Sequence, residues 1–198
     1  MNERIASIVA ASLEVKRQYF AEYGRDVERA ARMIADCFSA GNKLLLFGNG
    51  GSAADAQHIA GEFINRFLPQ DRRALPAIAL STDGGILTCI ANDTGFENVF
   101  ARQVEALGSR GDVCLAITTS GNSPNVIAAV RQALAQEMKV IALLGRDGGL
   151  CAPLSDLALV VQSSDTQRIQ ETHNLIGHVI CELVEMMLFP QDGTAKED

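Results

Sequence analysis

Several signatures that would assign a function outright are missing from this chain. Its five cysteines, Cys37, Cys89, Cys114, Cys151 and Cys181, are odd in number and never spaced as C-x-x-C. They read as small apolar packing residues in a reducing compartment. Basic residues are in deficit, with 17 Lys and Arg against 24 Asp and Glu and a formal charge of −7. That balance argues against general nucleic-acid binding, whose affinity rests on cationic contacts to phosphates. It leaves room for one anionic ligand held locally by amides and hydroxyls. No stretch approaches the roughly 20 apolar residues needed to span a bilayer. The N-terminal segment carries Glu3 and Glu14 within its apolar pattern and lacks the hydrophobic run of a signal peptide. A cytoplasmic protein without nucleic-acid or membrane partners is the expectation. The two common phosphate-binding glycine motifs are absent too: G-x-G-x-x-G fails at Ala53, and no Gly-Lys-Ser/Thr follows the glycine cluster.

What the chain does have, over 198 residues, is enough apolar sequence (47%) for one sizeable core. The expectation is a single domain over 1–198, with a helical segment over 1–40 and a disordered tail over 191–198. Ile5, Ile8, Ser12, Val15 and Tyr19 trace one helical face, and Val27, Ala30, Ala31, Ile34 and Phe38 trace another. With Gly24 and Gly41 as punctuation, the segment reads as two helices. From Lys43 onward short apolar runs recur: Leu44 to Phe47, Pro76 to Leu80, Val113 to Ile117, Val140 to Leu144, and Leu157 to Val161. Continuous rather than alternating runs mark strands buried on both faces. With helical stretches between them, they predict an α/β fold, a doubly wound five-stranded parallel sheet. A last helix runs from about Asp165 to Phe189, where Ser164 and Gln167 resemble a capping box and Pro190 follows the end. Its second half, from Leu175, is apolar on most faces and interrupted mainly by His178, Glu182 and Glu185, which points to an interface as well as a core.

In such a sheet, ligands bind beyond the carboxyl ends of the strands. Two turns there carry unusual residues. Gly48-Asn49-Gly50-Gly51-Ser52 closes the first strand and opens a helix; its glycines let backbone amides approach a ligand, and Ser52 can cap the helix or donate to a phosphate. A plain tight turn is the competing reading. Thr118-Thr119-Ser120-Gly121-Asn122-Ser123, followed by Pro124, gathers four hydroxyls at a helix start, more than capping requires, and forms a neutral cradle for an anion. All three histidines fall on two helical segments. His58 and Glu62 stand one turn apart on one face, and Gln170, His173 and His178 share the last helix. A metal site and an acid–base pair both fit His58 and Glu62. Gln170 and His178, eight residues apart, are separated by about 12 Å of helical rise. Both reach one atom only through a long side chain, a distorted helix or a neighbouring subunit.

Taken in order, Gly48-Asn-Gly-Gly-Ser52, Gln57-His58-x-x-x-Glu62, Asn92-Asp93, Gly111-Asp112-Val113, Thr118-Thr-Ser-Gly-Asn-Ser123, Gly145-x-Asp-Gly-Gly149, and Arg168-Ile-Gln-Glu171 with His178 resemble the bacterial phosphoheptose isomerase family, built on the SIS (sugar isomerase) fold. The resemblance runs from about residue 2 to 190. It implies a homotetramer with active sites between subunits. It also implies conversion of D-sedoheptulose 7-phosphate to D-glycero-D-manno-heptose 7-phosphate for lipopolysaccharide heptose synthesis. By motif it implies zinc, one per subunit, on His58, Glu62, Gln170 and His178. The substrate positions it implies are Asn49, Gly50, Gly51, Ser52, Glu62, Asn92, Asp93, Thr118, Thr119, Ser120, Ser123 and Gln170. Aldose–ketose isomerisation needs a carbon base and stabilisation of an enediol oxyanion. Glu62 is the expected base and His178 its proton-shuttling partner. A replication-initiation regulator of the same fold, which binds the initiator protein, is also similar around Ala56-Gln57-His58, Ile64-Asn65-Arg66-Phe67 and Ile90-Ala91-Asn92-Asp93. That branch typically lacks the glutamate at 62 and the histidine at 178, and both are present here. A non-catalytic sugar-phosphate sensor is the remaining alternative, and it has no need of the Glu62/His178 pair.

Overall fold

Successive side chains of a strand point to opposite faces, so a run that is apolar at every position must be covered on both sides. The computed structural model, which describes residues 1–68 and 71–190, satisfies that demand in the three central strands, whereas at the two edges of the sheet Ile78 is exposed and Ala158 and Val160 are half-buried. Five strands, β1 (Leu44–Gly48), β2 (Ala77–Ala79), β3 (Val113–Thr118), β4 (Lys139–Gly145) and β5 (Leu157–Val161), form one parallel sheet in the order β2-β1-β3-β4-β5. Six α-helices accompany them: α1 (Asn2–Ser39), α2 (Gly51–Ile64), α3 (Gly84–Thr94), α4 (Ala101–Leu107), α5 (Pro124–Ala135) and α6 (Thr166–Leu188). Leu44 and Leu46 of β1 pack into a layer with Phe38 of α1, Ile59 and Phe63 of α2, and Ile176 and Ile180 of α6. Leu45 and Phe47 point the other way, to Val104 of α4 and Val126 and Val130 of α5. From β1 the chain steps outward to β2, and from β3 it steps the opposite way to β4 and β5. The crevice of the sheet therefore opens where β1 and β3 end side by side, with Gly48 opposite Ile117.

The helical segment at the N-terminus differs from expectation. It is one helix of 38 residues, and Gly24 lies inside it with open space around. A glycine costs a helix only about 1 kcal/mol relative to alanine, too little to break one anchored on a buried face. Gly41 does end the run: it takes a positive φ of 80°, and Asn42 N–H bonds back to the Cys37 carbonyl. Burial on α1 begins at Tyr19, whereas Ile5, Ile8, Val9 and Leu13 stay exposed. At α6 the cap is Asp165 rather than Ser164; its carboxylate accepts from Gln167 N and Arg168 N, where an anion also suits the helix dipole. The apolar second half of α6 buries Ile176, Ile180, Cys181 and Val184 and leaves Met186 exposed. The expected disordered tail, 191–198, lies outside the described residues. Among those described, no helix is long and apolar enough to cross a membrane. Four of the five cysteines are buried and all are free, with Cys89 exposed on α3.

Past the end of α2 the chain is tied down by an ion pair between Arg72 and Glu185, whose side chains are 1% and 2% exposed. Glu185 accepts from Phe67 N (2.7 Å), Leu68 N (2.8 Å) and Arg72 Nε. Arg72 in turn donates to the Glu62 and Phe63 carbonyls at 2.6 and 2.8 Å, satisfying acceptors that the last turn of α2 leaves without helical partners.

Candidate active site

The two turns singled out from sequence flank the crevice between β1 and β3. Gly48 must be glycine: a Cβ there would lie 2.7 Å from the Ile117 carbonyl and 2.8 Å from Ser52 Cβ. Gly50 precedes α2 with φ 56°, and Ser52 is buried in its first turn. Across the crevice, Thr118 Oγ1 lies 3.1 Å from Ser123 Oγ and 3.4 Å from Ser120 Oγ. Ser123 occupies the N-cap of α5 without a side-chain capping bond, so its hydroxyl is not committed to the helix. Thr119 is half-buried beside them. The Gly145–Gly149 motif braces this cradle from behind. Gly121, at φ 66°, fits because a side chain would collide with Gly148; Cys151 N bonds the Gly121 carbonyl, and Leu150 N bonds Asn122 Oδ1.

A link between the two turns has no local signal in the sequence. Asn125 is 2% exposed and exchanges amide hydrogen bonds with Asn49, 2.8 Å in each direction. A polar residue near a helix start reads from sequence as part of the cap, which hid its partner 76 residues away.

The polar residues of α2 and α6 meet along one seam. Gly51 lies against Gln170, Asp55 accepts from Gln170 Nε2 at 3.4 Å and Asn174 Nδ2 at 3.5 Å, and His58 Nε2 stands 2.7 Å from His178 Nε2. Partners advance together along both helices, so α2 and α6 run parallel here. Glu62 Oε1 lies 3.7 Å from His58 Nδ1, and the Phe67 ring is 5.7 Å from that of His178. Burial pushes the Asp55 carboxyl up, with the Gln170 and Asn174 hydrogen bonds working against the shift. His58, Glu62 and His178 thus come together at one end of the seam. Gln170 sits at the other end, bonded to Asp55, and makes no hydrogen bond to them. The separation anticipated from helical rise is real.

Two nitrogens and a carboxylate at one end are suitable chemistry for zinc. Among the described residues, however, no group of three or more His, Cys, Asp or Glu side chains is arranged as a metal shell. Asn92 and Asp93 bond to each other on α3, both exposed, and make no hydrogen bond to the cradle or the seam. His173 is a core residue. Fully buried, it pairs Nε2 with the Leu144 carbonyl at 2.9 Å, leaves Nδ1 without a partner, and has its pKa pushed down by burial to about 4.

Comparison with known proteins places this arrangement. The SIS domain family model matches residues 9–145. The chain is 52% identical over 188 residues to the phosphoheptose isomerase of Aquifex aeolicus, covering 95% of this chain and 98% of that protein. The solved structure of the phosphoheptose isomerase of Neisseria gonorrhoeae superposes with a TM-score of 0.88 at 44% identity, covering 93% of this chain and 98% of that one. That of the Francisella tularensis enzyme gives 0.90 at 38% identity, covering 93% and 97%. These relatives carry the isomerase name. The chain belongs to the SIS-domain family and, within it, to the phosphoheptose isomerases.

Proposed function

We propose that Glu62 and His178 carry out the isomerisation while the Thr118–Ser123 cradle holds the phosphate. The chain is an aldose–ketose isomerase that converts D-sedoheptulose 7-phosphate to D-glycero-D-manno-heptose 7-phosphate, a step of lipopolysaccharide heptose synthesis. The observation that carries the assignment of roles is the meeting of His58 and His178 across the α2–α6 seam, with Glu62 one turn from His58. Glu62 takes a proton from C1 of the ketose and returns it to C2, while His178 moves a proton between the two oxygens through the enediol. Thr118, Ser120 and Ser123, with Ser52, anchor the terminal phosphate, and that binding orients the reacting carbons. Asn92 and Asp93 are assigned to the substrate on the family motif alone.

His58, Glu62 and His178 would hold zinc, which when bound polarises the carbonyl oxygen. Gln170 is engaged with Asp55 in its own chain. A neighbouring subunit that supplied one of the four would complete the shell, and on the family resemblance we assign a homotetramer with sites between subunits. A cytoplasmic location is assigned with it.

The test is purified protein incubated with sedoheptulose 7-phosphate and followed by NMR for a new aldose signal. Glu62→Gln should abolish that signal; turnover within a few-fold of wild type removes Glu62 from the role of base. Chelation followed by zinc addition should lower and restore turnover, and full activity in metal-free protein rejects a catalytic metal without touching the isomerase reading.

A further inference from the structure

We infer that Asn125 is a positioning residue that ties the root of α2 to the phosphate cradle and thereby sets the spacing between the bound phosphate and the carbon that Glu62 deprotonates. The inference rests on the roles given above to Glu62 and the cradle. Asn125 lies in the first turn of α5, two residues after Ser123, and is almost fully buried. Its Nδ2 donates to Asn49 Oδ1 and its Oδ1 accepts from Asn49 Nδ2, both at 2.8 Å, while Val126 N donates to the same Oδ1 at 3.0 Å.

The location gives this closed pair of amides its importance. β1 and β3 are last paired at Gly48 and Ile117, and beyond that point the two turns diverge to make the crevice. Asn49 is the next residue after β1, and α2, which carries His58 and Glu62, starts two residues later. The amide pair spans the gap that the sheet no longer holds, and a ligand gripped by the cradle must present its far end to α2. Asn49 is thereby reassigned as well: its side chain is engaged by the brace rather than offered to substrate. A reacting centre displaced by about 1 Å can cost on the order of a hundredfold in rate, so a small shift of one turn against the other registers in turnover before it registers in binding.

The experiment measures kcat, KM, the competitive inhibition constant of inorganic phosphate and the melting temperature. The proteins are wild type, Asn125→Ala, Asn125→Asp, Asn49→Ala and the double alanine variant. Asn125→Asp keeps the acceptor and loses the donor to Asn49. The expected result is a kcat loss of tenfold or more in Asn125→Ala, with the phosphate inhibition constant within twofold of wild type. Asn125→Asp should lie between, and the double variant should lose no more than either single one. A kcat within twofold of wild type overturns the inference. So does an inhibition constant that rises in step with the loss of kcat/KM, which would make Asn125 part of the cradle. Should Asn125→Ala not fold, Asn125→Asp is judged by the same criteria. Glu62→Gln is assayed in parallel: activity retained there refutes the assignment of the base, whereas activity lost there while the Asn125 variants stay wild-type-like refutes the positioning role alone.

Discussion

Replacing Glu185 by glutamine removes one charge from a buried pair with almost no change in shape. The carboxylate serves three donors, two through Oε1 and one through Oε2. A glutamine can accept through one oxygen only, and its NH2 must then face the N–H of Phe67 or Leu68. Arg72 keeps its bonds to the Glu62 and Phe63 carbonyls but loses its counter-ion in a site closed to water. Breaking a buried pair in this way typically costs about 3–5 kcal/mol. With Arg72 still partly satisfied, the lower end applies. About 3 kcal/mol in a chain of this size corresponds to a fall in melting temperature of roughly 6–12 °C. The measurement is thermal unfolding of both proteins at one concentration and pH 7. The pH dependence supplies a second sign. Burial pushes the Glu185 carboxyl up, but the bonds from Leu68, Phe67 and Arg72 outweigh it and leave the pKa below its usual 4.5. A depressed carboxylate contributes stability that is in place above 4.5 and is lost as pH falls through the lower folded value. The difference between wild type and Glu185→Gln should therefore shrink on acidification. A melting temperature within 2 °C of wild type at pH 7 would refute the claim that this pair fastens the chain beyond α2.

Two other predictions concern α6 and the groups packed against it. His173 is neutral when folded, with a pKa near 4 against an ordinary 6.5, so the unfolded chain binds the extra proton and stability should fall from pH 6.5 to 4 by up to about 3 kcal/mol. His173→Gln, which keeps a donor for the Leu144 carbonyl and cannot titrate, should flatten that slope in urea unfolding; equal slopes would reject the assignment. A Cβ on Gly51 would fall 2.7 Å from Gln170 Oε1, the end of a flexible side chain. Gly51→Ala should hence displace Gln170 from Asp55 and lower kcat at least fivefold, with the melting temperature within about 3 °C of wild type; unchanged kcat means that the place of Gln170 is immaterial to turnover.

How much of this was legible beforehand depended on the distance along the chain between the groups that interact. The three central strands could be read because burial on both faces leaves its mark inside five to seven consecutive residues. The hydroxyl cradle could be read for the same reason, since Thr118 to Ser123 are contiguous. Local rules failed only where two signals competed within a turn or two, as when Gly24 lay in a helix held by its buried half, or Asp165 displaced Ser164 as the cap. The seam is different in kind. Its pairs are 115, 119 and 120 residues apart, and no local pattern records which helix will lie beside α2. Even so, the near-constant offset carries a consequence that the sequence did contain. Two parallel helices in fixed register keep Gln170 and His178 as far apart as the helical rise places them, whichever helix they pack against. The same register puts Glu185 beside the end of α2, where a charge that had read as an interruption of an apolar face holds Arg72. Arg72 in turn holds the Glu62 carbonyl, so Glu185, one of the polar residues that broke the apolar pattern of α6, helps to place the proposed base.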